Sequence, residues 1–113
     1  MATVYLIQRQ MYFDKTTGEF KPRFNNLEKA AKFGEVKAVL SPTSSPFKSD
    51  NTVENIHREL GGITKDDYLL PMGNVTLVGI AIAIAAYYLE GRIKLLHWSQ
   101  RDDEYIPLEM SLF

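Results

Sequence analysis

The sequence predicts a small α/β domain of three-layer, Rossmann-like type. It has a mostly parallel sheet with helices on its faces and an antiparallel hairpin at its C-terminal edge. Three observations carry this. Residues 68–98 read as strand, tight turn, apolar helix, glycine, strand, which is one βαβ unit. Strands alternating with helical stretches precede it, as in a parallel sheet. A polar turn and an alternating strand follow it, and so short a turn makes that last strand antiparallel to its neighbour.

Residues 3–13 are rich in β-branched and aromatic side chains and open as a strand. Val4 and Leu6 fall on one face and Tyr5 and Ile7 on the other, so its first half is buried on both sides. Gln8, Arg9 and Gln10 mark its exit from the core. Residues 14–18 (Asp-Lys-Thr-Thr-Gly) form a polar turn, and residues 19–24 return as a short edge strand or an irregular excursion. Pro22 suits an edge. Asn26 can cap a short helix over residues 27–33, ended by Gly34. Residues 36–40 are the next strand. Two prolines keep residues 41–50 a loop. Asn51 begins a helix, with Glu54 at capping-box spacing, Val53, Ile56 and Leu60 as its apolar face, and Gly61-Gly62 as its stop.

Leu69 and Leu70 lie between the charged pair Asp66-Asp67 and Pro71, the mark of a strand buried on both faces. Residues 75–90 carry no charge before Glu90, and their length and alanine content favour a helix. Asn74 is its expected N-cap and Gly91 its stop. Apolar residues surround this helix, so it is expected to be buried on nearly all sides. Each large side chain it buries contributes about 1.5–3 kcal/mol. Gly79, Ala83 and Ala86 form a stripe that lets a neighbour come close. So short a chain has few places to hide such a helix, so one side is expected to meet another subunit. In residues 104–113, Ile106, Leu108, Met110 and Leu112 form the expected buried face. Tyr105, Pro107, Glu109 and Ser111 form the wet one. Pro107 suggests an edge, and the final Leu112-Phe113 suggests a terminus that is tied down.

The 113 residues read as a single domain without repeats or low-complexity segments. A net charge of −1 gives no electrostatic reason to bind nucleic acid or an anionic membrane. The absence of cysteine excludes disulfides and thiolate metal sites, and fits a cytoplasmic protein. No secretory signal is visible. The apolar run 75–89 is shorter than the roughly 20 residues needed to span a bilayer.

Ligands of open parallel sheets bind beyond the carboxyl ends of the strands. Three loops are expected there: residues 41–51, 71–76 and 99–103. They supply Ser41, Thr43, Ser44, Ser45, Gly73, Asn74, Thr76, Ser99, Arg101 and Asp102. Two of the loops enter helix N-termini, where free N–H groups favour an anion. The sharpest expectation is a phosphate or carboxylate near Gly73, Asn74 and Thr76, with Arg101 beside it. Against it, serine, asparagine and glycine precede helices simply because they cap them. No Walker loop, dinucleotide fingerprint or nucleophile elbow occurs. His57 reads as a partly covered surface residue and His97 as a buried, hydrogen-bonded one. Two histidines without cysteine make no structural zinc site, and no cofactor is implied. The acidic pairs Asp66-Asp67 and Asp102-Asp103 read as solvated turns.

Leu40-Ser41-Pro42-Thr43, Pro46-Phe47, Asp67-Tyr68-Leu69-Leu70 with Gly73-Asn74, and Gly91 through Trp98 resemble a family of small proteins from marine and cyanobacterial phages. The resemblance covers most of the chain and carries no activity, cofactor or site. It implies a phage-related origin and a place in the cytoplasm of an infected bacterium. Two functional classes follow. One is a non-enzymatic interaction protein that self-associates, with a dimer favoured, and binds another protein. The other is a small-molecule, nucleotide or anion binder, or an enzyme, using the carboxyl-edge loops.

Overall fold

A computed structural model describes residues 2–22 and 26–113. Its main sheet has five strands, β1 (Thr3–Gln8), β4 (Glu35–Leu40), β5 (Tyr68–Leu70), β6 (Arg92–Ser99) and β7 (Glu104–Ser111). Their order is β4-β1-β5-β6-β7. The first four are parallel and β7 runs antiparallel to β6, as expected. Val4, Tyr5, Leu6 and Ile7 are all buried, so β1 is indeed covered on both faces. The opening strand is shorter than expected. It ends at Gln8, and β2 (Met11–Asp14) pairs with β3 (Glu19–Pro22) in a separate two-stranded ribbon. Residue 24, the expected end of that excursion, lies outside the described residues.

The helices are α1 (Ser49–Leu60) and α2 (Val75–Tyr88). Ile56 and Leu60 of α1 and Leu77, Ala81 and Ala85 of α2 share one core with Tyr5, Ile7, Leu69 and Ile93. Both helices therefore lie on the same face. The opposite core joins Val4, Leu6, Leu70, Leu96 and Tyr105 to Ala30, with Leu27 and Phe33 against it. Its only helical cover among the described residues is a pair of 3-10 turns, Leu27–Lys29 and Ala31–Phe33, where one short helix was expected. Right-handed crossovers explain the split. The steps β4→β5 and β5→β6 run the same way across the sheet and place their helices together. The step β1→β4 runs the other way and places its short connection opposite.

Three local expectations are corrected. Asn26 does not cap through its side chain, which instead accepts a bond from the Tyr105 hydroxyl. Helix α1 begins at Ser49 rather than Asn51, because the preceding turn runs into it: the Lys48 amide donates to the Ser45 carbonyl and the Thr52 amide to the Lys48 carbonyl, both at 3.3 Å. Helix α2 is not covered all round. Val75, Gly79, Ala83 and Tyr87, spaced four apart, form a bare outer stripe. The Asn74 cap stands: its side chain accepts from the Thr76 and Leu77 amides at 3.0 and 3.3 Å. Gly91 ends the turn after α2, its amide bonded to the Ala86 carbonyl at 2.8 Å.

On β7 the predicted sides are partly exchanged. Tyr105 is buried, whereas Leu108, Met110 and Leu112 are 37%, 39% and 46% exposed. The alternation was right but the cover is missing, because α1 and α2 pack over β4, β1 and β6 instead. Leu112 is still tied in, its amide donating to the Gly91 carbonyl at 2.8 Å.

Candidate functional site

Four parallel strands bring the ends of β1, β4, β5 and β6 to one edge, and the residue that organises this edge is Gln8. It is the last residue of β1 and is buried. Its Nε2 donates to the carbonyls of Ser41 at 3.0 Å and Ser44 at 3.1 Å, and its Oε1 accepts from the Asn74 amide at 2.9 Å. Its own amide donates to the Met72 carbonyl at 2.9 Å. One amide side chain thus ties the loop after β4 to the loop after β5. Gly73 is required where they meet: its φ is +133°, and a Cβ there would lie 2.6 Å from Gln8 Cβ.

Two cavities flank this staple. The larger, about 390 Å³, lies on the face opposite the helices. Its floor is Leu70, Met72, Leu96, Trp98 and Tyr105, with Asn26 at its polar side. Trp98 and Tyr105 meet edge to face at 4.9 Å. The Tyr105 hydroxyl donates to Asn26 Oδ1 at 3.2 Å, and burial raises its pKa above the ordinary value. The smaller cavity, about 250 Å³, is polar and bordered by Gln8, Arg9, Ser44 and Asn74.

The expected site residues divide accordingly. Gly73 borders the larger cavity, and Ser44 and Asn74 the smaller. Ser41 and Thr43 hydroxyls bond each other at 2.9 Å. Ser99 donates to Asp102 at 2.9 Å, and Arg101 points along the same turn toward Asp102 at 3.7 Å. Ser41, Thr43, Ser99, Arg101 and Asp102 line neither cavity described. The Thr76 and Leu77 amides, two of the donors an anion would need, are occupied by Asn74. The cation that borders the Asn74 loop is Arg9. Gln8 and Arg9 were legible only as residues leaving the core, since nothing local marks a glutamine as a staple.

Replacing Asn74 by alanine is expected to cost about 1 kcal/mol in urea unfolding, the usual worth of an N-cap, with Asn74→Asp close to the parent.

His97 is exposed, not buried and hydrogen-bonded as expected, because its face of the sheet is bare beyond α2. His57 is exposed too, its Nδ1 2.7 Å from the Tyr88 hydroxyl, joining α1 to α2. Among the described residues no three histidine, aspartate or glutamate side chains gather as metal ligands. No helix there is long and apolar enough to cross a membrane. Asp67 is buried but fully occupied, accepting from the amides of Thr3 and Thr64 at 2.8 Å each.

A family model described as Phage Pam3 gp32-like protein matches residues 2–112. The chain belongs to the Phage Pam3 gp32-like family. No curated protein and no solved structure matches it. The family match spans every strand and both cavities, and it agrees with the phage resemblance of the sequence.

Proposed function

We propose that this member of the Phage Pam3 gp32-like family is a non-enzymatic interaction protein that works as a homo-oligomer, with a dimer favoured. Its setting in this proposal is the cytoplasm of an infected bacterium, and the marine and cyanobacterial origin belongs to the same proposal. The observation that carries it is bare apolar surface. Helix α2 has no charged residue, yet Val75 and Tyr87 are 85% and 75% exposed. At the β7 edge, Leu108, Met110, Leu112 and Phe113 are also exposed. Surface of this kind marks sites of association. The β2–β3 ribbon adds Phe13 and Phe20, packed edge to face at 5.3 Å and open to solvent, as a place for a different protein. An isolated two-stranded ribbon gains most from such a partner.

Light scattering at micromolar concentration is expected to give twice the chain mass. A clean monomer overturns the oligomeric reading.

The larger cavity favours a second reading, a small-molecule, nucleotide or anion binder. Its volume lies within the range of ligand pockets, and its floor is aromatic with polar groups at the side. The Rossmann-like, three-layer description belongs with that reading, because it places a ligand at the carboxyl edge. A thermal-shift panel of nucleotides and anions that raises the melting temperature supports it, and a flat panel leaves the interaction reading alone.

A further inference from the structure

We propose that the free edge of β7 receives a second copy of this chain, the two β7 strands pairing antiparallel about a two-fold axis at Met110. The proposal rests on the oligomeric reading and goes beyond it by naming the surface and its register.

The backbone decides which groups are free. The Leu112 amide donates to the Gly91 carbonyl, in line with the β6–β7 register that sets Met110 opposite Ile93. Successive residues of a strand turn their N–H and C=O groups to opposite sides. The even-numbered residues of β7 therefore face β6, and Tyr105, Pro107, Glu109 and Ser111 face outward. Pro107, which has no N–H, falls in the outward set, so the β6–β7 ladder loses nothing. Beyond Pro107 the edge is open, with complete backbone pairs at Glu109 and Ser111. The other free edge, β4, carries the exposed charges Glu35 and Lys37, the usual guard against edge pairing. On the helix-side face of β7 the strip is Leu108, Met110 and Leu112, all partly exposed and all uncharged.

One register pairs the free backbone groups of both Glu109 and Ser111 without setting like charges together. With the axis at Met110, Glu109 faces Ser111 of the second copy and both make full hydrogen-bond pairs. Leu108 faces Leu112, and Met110 faces its own mate. An axis at Glu109 sets two carboxylates against each other. An axis at Leu108 puts Pro107 opposite Glu109 and breaks the ladder. An axis at Ser111 sets Glu109 opposite Phe113, two residues past the end of β7. In the chosen register charges also alternate across the polar face. Glu109 lies beside its own Lys94, and two strands away, about 10 Å, is Arg92 of the second copy. The bare stripe on α2 is the weaker candidate. Gly79 and Ala83 carry little apolar surface, and a helix offers no unpaired backbone groups along its side.

The chain has no cysteine, so a single introduced one reports its own neighbour. Met110→Cys is expected to form a disulfide-linked dimer on mild oxidation at micromolar concentration. Its mate would sit in a non-hydrogen-bonded pair about 4.5 Å away, within disulfide reach. Leu108→Cys is expected to stay unlinked, since the two copies of residue 108 lie about 13 Å apart along the strand. The double variant Leu108→Cys with Leu112→Cys is expected to link. Met110 is partly exposed, so the substitution leaves the core untouched, and a near-parent melting temperature verifies the fold. A parent dimer in which Met110→Cys stays unlinked overturns the β7 edge while leaving the oligomeric reading standing. Linkage through Leu108→Cys alone overturns the register. A parent monomer by light scattering overturns both proposals.

Discussion

Gln8→Ala is expected to lower stability by roughly 2–4 kcal/mol, since each hydrogen bond lost costs about 1 kcal/mol and stranded partners cost more. In a domain of this size that is a fall of about 10 °C in the unfolding midpoint. The side chain bonds the Ser41 and Ser44 carbonyls and the Asn74 amide together, and no neighbour can replace it. Alanine leaves these groups to water or to nothing. Gln8→Glu is expected to be worse, because a carboxylate faces the two carbonyls that now receive Nε2. Because the staple ties the loop after β4 to the loop after β5, both are expected to gain hydrogen-exchange rate together in Gln8→Ala. A loss below about 1 kcal/mol, or exchange that rises in one loop only, contradicts the staple.

Gly34→Ala is expected to cost about 3 kcal/mol or more, the upper range for a strained backbone conformation. Gly34 ends the second 3-10 turn with φ +152°, where side chains are rarely tolerated. A Cβ there would lie 2.7 Å from the Ala2 carbonyl carbon and closer still to its oxygen. These atoms are backbone and cannot swing aside, and the first β1–β4 pair, Thr3 with Glu35, follows at once. Gly18→Ala is the control. Its φ is +72°, but nothing lies within 4 Å of the added carbon, so the expected cost is about 1–2 kcal/mol. Urea denaturation of the two variants measures the difference. Equal losses show that the close approach to Ala2 does not matter.

The candidate site was half legible. The carboxyl-edge loops were correctly located because strand direction follows from connection length, and a βαβ unit can close in only one way. Asn74 was legible because an asparagine before an apolar run has one common use. Arg101 was placed beside Gly73 on proximity to a strand end alone. Its turn folds back on Ser99 and Asp102, and Arg9 borders the Asn74 loop instead. The cavity floor of Trp98 and Tyr105 was hidden by alternation. Tyr105 read as an outward residue because Ile106, Leu108, Met110 and Leu112 made the more apolar face.

By itself the sequence determined the local elements and their sense: the strands that are apolar on both sides, the capped uncharged helix, and the terminal hairpin. Those follow from spacing and end signals that act over a few residues. Only the tertiary structure decided which face each element covers. Both helices fell on one side of the sheet because two successive crossovers step in the same direction. That leaves Leu108, Met110 and Leu112 beyond their reach and the opposite face open enough for a cavity. Burial is a property of what lies opposite a side chain, and no pattern within the strand itself records it.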